Sequence, residues 1–279
     1  MSDTAATANE TARARRKRRF KWPLTSMGTI ALLIAFLGIW EGYVRIFEVS
    51  SLILPPPTLV VVALWDICLE PKTWGHVWVT VYETVLGFVI ACFIGVGLGA
   101  VLGKIAWLER MLNPFIIATQ VVPKVALVPL FVVWFGFGVT SKIVVSAVLA
   151  FFPILTNTLL GVKSVDLGHR DVMISLGATR MQTFWRLELP SALPYVLAGM
   201  EIGIVLAIIG AVVGEYLGGS QGLGYMAVAA MNAYNTSDLF AVIILLTALG
   251  FLFYVLVVGA RRAVIPWHES VMVMQRERY

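Results

Sequence analysis

Charged side chains inside long apolar stretches are the residues of this chain most able to do chemistry. Glu83, Lys124, Glu201 and Glu215 each fall within such a stretch. A charge at the centre of a bilayer costs roughly 2.5–3.5 kcal/mol on insertion scales, so each should have a partner or a function. Lys124 follows Pro123 well inside its stretch. We expect its ammonium to face either a transported anion or an internal carboxylate that fixes helix register.

Residues for catalysis or metal binding are not grouped in the sequence. His76, His169 and His268 are isolated, and no cluster has the spacing of metal ligands. The Gly-Lys pair at 103–104 is followed by isoleucine and lacks the glycine-rich cradle that binds nucleotide phosphates. We therefore expect no catalytic site, no metal and no bound cofactor in this chain.

The composition is that of an integral membrane protein. Hydrophobic residues make up 59% of the 279 residues and charged residues 13%, against roughly 25% charged in a soluble domain. Several apolar stretches reach the ~20 residues needed to cross about 30 Å of hydrocarbon. Cys68 and Cys92 do not indicate a disulfide framework.

We predict an all-α membrane bundle of six transmembrane helices. The transmembrane domain covers residues 25–262, with a cytoplasmic loop at 163–190 and with tails at 1–24 and 263–279. The first apolar stretch is too long for the core of a cleaved signal peptide, so we expect it to be retained. The predicted helices span residues 25–46, 77–103, 115–136, 142–162, 192–217 and 239–260.

The distribution of basic residues predicts the orientation. Lysine and arginine are concentrated in the two tails and in the connections at 104–110 and 163–186, whereas Arg45, Lys72 and Lys142 fall in the opposite connections. The positive-inside rule therefore places both termini in the cytoplasm. The basic run ahead of the first span is expected to meet anionic lipid head groups rather than nucleic acid.

In this orientation Glu83 and Glu215 lie near the outer ends of their spans. Water or snorkelling lowers the cost of a charge there, so a structural or rim role is as well supported as a transport role. Gln120 and Asn157 could line the same path as Lys124. The candidates for the translocation path are Lys124, Gln120, Asn157, Glu83 and Glu215.

Glycine and proline indicate how the helices pack. Gly95, Gly99 and Gly103 recur every fourth residue, which gives one helix a smooth stripe that another backbone can approach, although glycine is also simply common in membrane helices. Pro123 and Pro129 interrupt the third span. We predict that this helix is kinked or broken where it lines a cavity.

The loop at 163–190 is predicted to contain two short helices. The first begins near Ser164 or Asp166 and ends at Gly177. The second begins at Thr179, because this threonine and Gln182 have the spacing of a capping box.

Three large apolar side chains, Met181, Phe184 and Trp185, share one face of the second short helix. Such a face on a short polar-flanked helix needs a partner surface, and a groove of another protein would provide one. Packing on the chain's own helix ends or on lipid is the alternative.

This loop resembles the EAA loop of binding-protein-dependent ABC importer permeases. The triplet positions are Asp171-Val172-Met173, of which the first keeps the acid of the glutamate-alanine-alanine pattern. Gly177 follows at the family's spacing, and Leu187, Leu189 and Pro190 close the motif. Further segments look like the nitrate/sulfonate/taurine/bicarbonate-type branch: Leu54–Thr58, Val122–Phe131, Trp134–Gly138 and Gly218–Tyr225.

The resemblance implies a coupling helix that docks in a cleft of a cytoplasmic ATPase. The second short helix, Thr179–Leu187, is assigned to this role. The residues assigned to ATPase coupling are Asp171, Gly177, Ala178, Thr179, Arg180, Met181, Gln182, Phe184, Trp185, Arg186, Leu187, Leu189 and Pro190.

The same resemblance implies the assembly. The chain would be a permease subunit in a bacterial inner membrane, without enzymatic activity of its own. Its partners would be a second copy of the permease, two copies of an ATPase that uses ATP and Mg²⁺, and an extracytoplasmic substrate-binding protein. The solute would be small, with anions such as sulfonate, nitrate, taurine or an aromatic acid favoured by Lys124, and vitamin-precursor heterocycles still open.

Two other classes of function compete with an importer. A self-contained secondary transporter or channel would more often show two similar halves and paired acids at mid-membrane, which the sequence does not display. A membrane enzyme would need a nucleophile, a base or metal ligands converging at one depth, and the isolated histidines do not supply them.

Overall fold

Helices form nearly all of the described chain. The computed structural model describes residues 22–266, with side chains described from residue 28 onwards. The predictions for the basic N-terminal run, for His268 and for most of the C-terminal tail lie outside these residues.

Ten helices follow one another along the described residues. Five of them, α1, α3, α6, α8 and α10, are long and apolar enough to cross a membrane, and the bent pair α4 and α5 makes a sixth if it is counted as one span. The helices are α1 (Trp22–Ile46), α2 (Pro57–Leu69), α3 (Pro71–Lys104), α4 (Ala106–Val121), α5 (Val128–Phe135), α6 (Val139–Lys163), α7 (Leu167–Ser175), α8 (Arg180–Gly218), α9 (Leu223–Asn232) and α10 (Thr236–Val264).

The third predicted span is broken. Instead of one helix over 115–136, the chain forms α4 and α5, which are bent by 85° about a break at Val122-Pro123 and a short 3₁₀ turn, Lys124–Leu127. Pro123 has no amide hydrogen to continue the helix, so the break falls at the first of the two prolines. The structure therefore has the interruption that the prolines indicate.

The fifth predicted span begins earlier than the sequence suggested. We expected a separate short helix over Thr179–Leu187 and a span from 192, but α8 runs without a loop for 39 residues. A π-helical turn at Phe184–Glu188 ends two residues before Pro190. Such a turn holds an extra residue, which relieves the clash between a proline ring and the preceding turn and lets the helix continue.

The centre of the bundle is α6, which packs between α3 and α8. A Cβ atom at Gly99 of α3 would lie 2.7 Å from the Thr158 Cβ, and one at Gly203 of α8 would lie 2.8 Å from the Ile154 Cδ1. Gly95 and Gly103 of the predicted stripe also face α6. The glycines thus allow three helix backbones to approach more closely than side chains would permit.

Other helices surround this centre. The helices α9 and α10 pack on α8, and α2 packs on α10, in an apolar cluster that includes Ile208, Val242 and Phe253. The peripheral helix α1 is joined to α2 where the Glu41 carboxylate accepts hydrogen bonds from the Thr58 amide, at 3.1 Å, and hydroxyl, at 2.9 Å. None of the side chains of α4 is buried within the chain.

The bundle has two distinct ends. The loop end contains the loop at 163–190, together with the end of α3 at Lys104 and the end of α6 at Lys163. The opposite end contains the turn between α5 and α6 and the loop between α8 and α9.

The close approach of α3 to α6 can be tested with matched alanine substitutions. Gly99→Ala adds a methyl group 2.8 Å from the Leu155 carbonyl oxygen, whereas nothing lies within 4 Å of a Cβ atom at Gly97. We expect Gly99→Ala to destabilise the chain by about 1–3 kcal/mol and Gly97→Ala to leave it unchanged or slightly more stable. Thermal unfolding in detergent measures both, and equal stability of the two variants would contradict the packing described.

Candidate functional site

The first helix of the loop at 163–190 is bounded by local caps. The Asp166 carboxylate accepts a hydrogen bond from the Gly168 amide at 2.7 Å and begins α7. At its other end Gly177 has φ +66°, and the Ala178 amide donates to the Met173 carbonyl at 3.0 Å. No atom would obstruct a side chain at Gly177, so the left-handed backbone is the reason for glycine there.

The second helix of the loop begins with the capping box that the spacing predicts. The Thr179 hydroxyl accepts from the Gln182 amide at 3.3 Å, and the Thr179 amide donates to the Gln182 side-chain oxygen at 2.8 Å. This cap fixes the first turn of α8, which continues into the membrane. The start of the predicted coupling helix is therefore rigidly joined to a transmembrane helix.

An apolar surface remains uncovered on this loop. Leu176, Met181 and Trp185 are exposed, with 60% of Trp185 accessible. Phe184 is half-buried, and the Lys104 ammonium lies 4.5 Å from the centre of its ring. Of the other assigned residues, the exposed ones are Asp171, Gly177, Thr179, Arg180, Gln182 and Arg186, and the partly buried ones are Ala178, Leu187, Leu189 and Pro190.

Lys142 forms a buried cap at the opposite end of the bundle. Its ammonium donates hydrogen bonds to the backbone carbonyls of Phe137, of Gly138 at 3.0 Å and of Gly218 at 2.8 Å. These carbonyls belong to the turn after α5 and to the last residue of α8. Because the carbonyl end of a helix carries partial negative charge, the lysine stabilises the end of α8, and its other two bonds fix the turn between α5 and α6. In the sequence Lys142 is assigned to an outer connection, and no local pattern indicates this role.

Glu215 forms the complementary cap at the start of α9. Its carboxylate accepts from the Thr80 hydroxyl at 2.6 Å and from the Gly224 amide at 2.7 Å. The Thr80 oxygen in turn accepts from the Leu223 amide at 2.9 Å. A carboxylate at the amide end of a helix is favourable for the same reason as a lysine at the carbonyl end.

Glu83 lies beside Glu215 and completes this buried cluster. Its carboxyl group is near enough to the Glu215 carboxylate and to the Lys142 ammonium for electrostatic interaction with both. Glu83 is 2% exposed and Glu215 is 1% exposed. Of the structural and rim roles left open for these two path candidates, their burial inside the bundle favours the structural one.

His76 joins the same end of the structure. Its Nδ1 atom accepts a hydrogen bond from the Gly222 amide at 3.0 Å, and its ring stacks on Tyr225 with 5.8 Å between ring centres. Gly222 has φ +101°, a conformation that favours glycine. The loop between α8 and α9 is thus fixed at both of its ends.

The remaining path candidates lie near the break between α4 and α5 or on α6. The Lys124 ammonium lies 4.9 Å from the centre of the Phe152 ring on α6, so the side chain faces the protein. Gln120 is exposed one turn before the break. Asn157 packs against Gly199 of α8 and donates to the Pro153 carbonyl at 2.8 Å, so its amide is used within its own helix.

An apolar groove begins at Phe152. Its volume is about 330 Å³ and α3 and α6 form its walls. A cation at the edge of an apolar groove suits a small molecule that has both an anionic group and an apolar part. The groove is lined by Ile90, Ala91, Ile94, Ala147, Val148, Phe151 and Phe152.

Glu201, the fourth charge identified within an apolar stretch, has a partner. The Arg261 guanidinium nitrogen Nη1 lies 2.9 Å and 3.0 Å from its two carboxylate oxygens. This ion pair joins α8 to α10 near the loop end and accounts for the burial of both charges.

The polar cluster can be tested with two threonine variants. Thr80→Val keeps the side-chain volume but leaves the Leu223 amide without a partner and the Glu215 carboxylate with the Gly224 amide alone, at a cost of about 1–3 kcal/mol. Thr247→Val is the control, because that exposed hydroxyl donates only to a carbonyl of its own helix. We expect amide hydrogen exchange at Leu223 to become roughly tenfold faster or more in Thr80→Val alone. Unchanged exchange would contradict the cap.

The chain is similar to known membrane permeases in sequence and in fold. Residues 91–267 match the family described as "Binding-protein-dependent transport system inner membrane component". The riboflavin transport system permease protein RibX of Chloroflexus aurantiacus is 34% identical over 97% of this chain and 100% of its own length. The formylaminopyrimidine transport permease protein ThiX of Halalkalibacterium halodurans is 35% identical over 85% of this chain and 94% of its own.

Further relatives support the assignment of family and fold. The taurine transport system permease protein TauC of Escherichia coli is 32% identical over 92% of this chain and 96% of its own. A chain of the MetNI methionine ABC transporter, solved in an inward-facing conformation, has the same fold with a TM-score of 0.61 and 24% identity over 70% of this chain and 98% of its own. The chain therefore belongs to the inner membrane components of binding-protein-dependent transport systems and is the permease subunit of an ATP-driven ABC importer.

Proposed function

We propose that two copies of this chain form the membrane path of an importer with two copies of a separate ATPase and an extracytoplasmic binding protein. The observation that carries this proposal is the uncovered apolar surface of Leu176, Met181 and Trp185 on a rigidly capped helix. Large apolar side chains on a fixed helix suit insertion into a groove of a partner protein.

The orientation in the membrane follows from charge. The loop end holds Lys104, Lys163 and Arg170, three basic residues at the ends of helices or in the loop. Basic residues remain preferentially on the cytoplasmic side. We infer that the loop end and both termini are cytoplasmic, where the ATPase would bind ATP and Mg²⁺ and hydrolyse the nucleotide.

A second copy of the chain would cover surfaces that this copy leaves open. The helix α4 has no buried side chain, and Phe115, Ile117 and Val121 along it are exposed. The groove at Phe152 is also open on one side. A symmetric pair is the commonest way in which a single chain encloses such surfaces, and lipid covers those that the pair leaves.

The transport step follows from the continuity of α8. When the ATPase closes on its nucleotide, it displaces the first turn of α8 at Thr179 and Trp185. Because the same helix packs through Gly199 and Gly203 on α6, the displacement passes to the centre of the bundle. The interactions of Lys142 and Glu215 at the opposite end keep α8 joined to its neighbours during this motion.

The cargo we favour is a small organic anion. Lys124 supplies a positive charge beside an aromatic ring, and the adjacent groove is apolar. A sulfonate or an aromatic carboxylate has both features. A flat nitrogen heterocycle is the second candidate, because relatives that match most of this chain are permeases for riboflavin and formylaminopyrimidine.

Native mass spectrometry of the detergent-solubilised complex tests the assembly. We expect two copies of this chain with two copies of a soluble ATPase. Trp185→Ala should weaken ATPase binding by about 2 kcal/mol or more, roughly 30-fold, because it removes a large exposed anchor. Trp78→Ala is the control, since that tryptophan is 67% exposed but lies far from the loop, on α3.

The outcomes decide the proposed assembly. If the chain alone is recovered under mild conditions that preserve complexes, the proposed complex of two and two subunits is wrong for this protein. If Trp185→Ala retains the ATPase as well as Trp78→Ala does, the apolar surface is not the docking site.

The cargo is tested by substituting Lys124. Lys124→Met keeps an unbranched side chain over Phe152 and removes the charge. The activation free energy for uptake of an anionic substrate should therefore rise by about 1 kcal/mol, which slows uptake roughly fivefold. Lys72→Met, at an exposed position, is the control. Uptake of radiolabelled taurine, an aromatic carboxylate and riboflavin into vesicles measures the effect. Equal slowing of the neutral and anionic solutes would contradict a role in binding the anion.

A further inference from the structure

The π-helical turn in α8 places one carboxylate at the junction of three helices. The turn covers Phe184–Glu188, and the Leu189 amide closes it by donating to the Phe184 carbonyl. An extra residue within a helix rotates the side chains before it by about 100° relative to those after it. Glu188 is the last residue of this turn and stands at the point where the coupling helix becomes the transmembrane helix.

Two cations from other helices occupy the two oxygens of Glu188. Arg170 of α7 lies 3.0 Å from Oε1 through Nη2, and Lys104 at the end of α3 lies 2.9 Å from Oε2 through Nζ. The Glu188 side chain is 17% exposed. A single carboxylate thus connects the first helix of the loop, the second helix of the loop and the end of a central transmembrane helix.

Lys104 also connects this carboxylate to the proposed docking surface. Its ammonium lies over the Phe184 ring, and that ring meets Trp185 edge to face with 5.5 Å between ring centres. A contiguous set of contacts therefore leads from the exposed Trp185 through Phe184 and Lys104 to Glu188.

We propose that Glu188 is a positioning residue for energy coupling, which clamps the coupling loop to α3 as well as to α8. This inference rests on the proposed function. With the clamp, a displacement of Trp185 by the ATPase moves α7, α8 and the end of α3 together. Without it, α7 and the end of α3 are connected to the coupling helix through weaker contacts, and part of the displacement is lost within the loop.

The energetics favour a mechanical role over a stabilising one. Exposed ion pairs contribute about 0.2–1 kcal/mol to stability, and both cations here are about half exposed. Loss of the pairs should therefore leave the helix bundle folded. The two cations bind one carboxylate from different helices. They therefore determine the orientation of the coupling loop rather than its folding.

The test uses the whole complex, with ATPase and binding protein, reconstituted in vesicles. Glu188→Gln keeps the size of the side chain and removes its charge. We expect the complex of two and two subunits to remain, ATP hydrolysis to continue and uptake per ATP to fall about 2- to 30-fold, the range for residues that couple distant sites.

Glu109→Gln is the matched control. Glu109 is 15% exposed and pairs with Lys163 at 2.6 Å near the same end, but this pair joins α4 to α6 and not the two helices of the loop. We expect uptake per ATP to stay within the wild-type range in this variant. An equal loss in Glu109→Gln and Glu188→Gln would overturn the proposal, because it would indicate a general effect of removing an ion pair.

Lys104→Met removes one of the two cations that pair with Glu188. It should lower uptake per ATP as well, and the double variant Lys104→Met/Glu188→Gln should be no worse than the more affected single variant. If Glu188→Gln does not assemble, Lys104→Met alone decides, and normal uptake per ATP in it overturns the proposal. If the wild-type complex transports and both variants match it, the clamp is overturned while the proposed function stands.

Discussion

Close backbone contact between α6 and its two neighbours is the constraint on which the rest of the structure depends. Glycine at positions such as Gly99 and Gly210 brings the neighbouring helices against α6 with no side chain between them. Gly214 likewise allows α8 to pass directly over the stem of Lys142. The Lys142 ammonium can then reach the carbonyls of the turn before α6 and of the end of α8. Close packing thus makes the burial of this charge possible.

The two ends of the bundle hold their charges differently. At the end with Lys142 and Glu215, the charges are buried and bind helix termini, which supply opposite partial charges, and the Thr80 hydroxyl adds a further hydrogen bond to Glu215. At the loop end, the charges of Lys104, Arg170 and Glu188 form ion pairs that water can reach. The first arrangement holds helix termini inside the bundle, whereas the second holds three helices together at the surface where the ATPase would bind. This difference suits a transporter whose ATPase acts on the loop end.

Sequence reasoning identified the membrane class, the interruption at Pro123 and the capping box, because each depends on residues close together in the chain. The role of Lys142 is not evident from the sequence, because its partner Gly218 is distant in the chain. The glycine-rich turn next to Lys142 also has the composition of an exposed loop. The continuity of α8 was missed because Pro190 indicates a helix start unless a π-helical turn precedes it. The 85° bend also depends on packing that no local pattern encodes.

The length of α8 has a geometric consequence. Its 39 residues correspond to about 58 Å at 1.5 Å per residue, nearly twice the thickness of the hydrocarbon layer. Its contact with α6 runs from Ala192 to Gly214, so the helix from Arg180 to Ser191, about 18 Å long, extends beyond that contact as a lever arm. A tilt of about 5° at the near end of the contact would move the tip of this arm by roughly 1.5 Å while the far end of α8 stays in place.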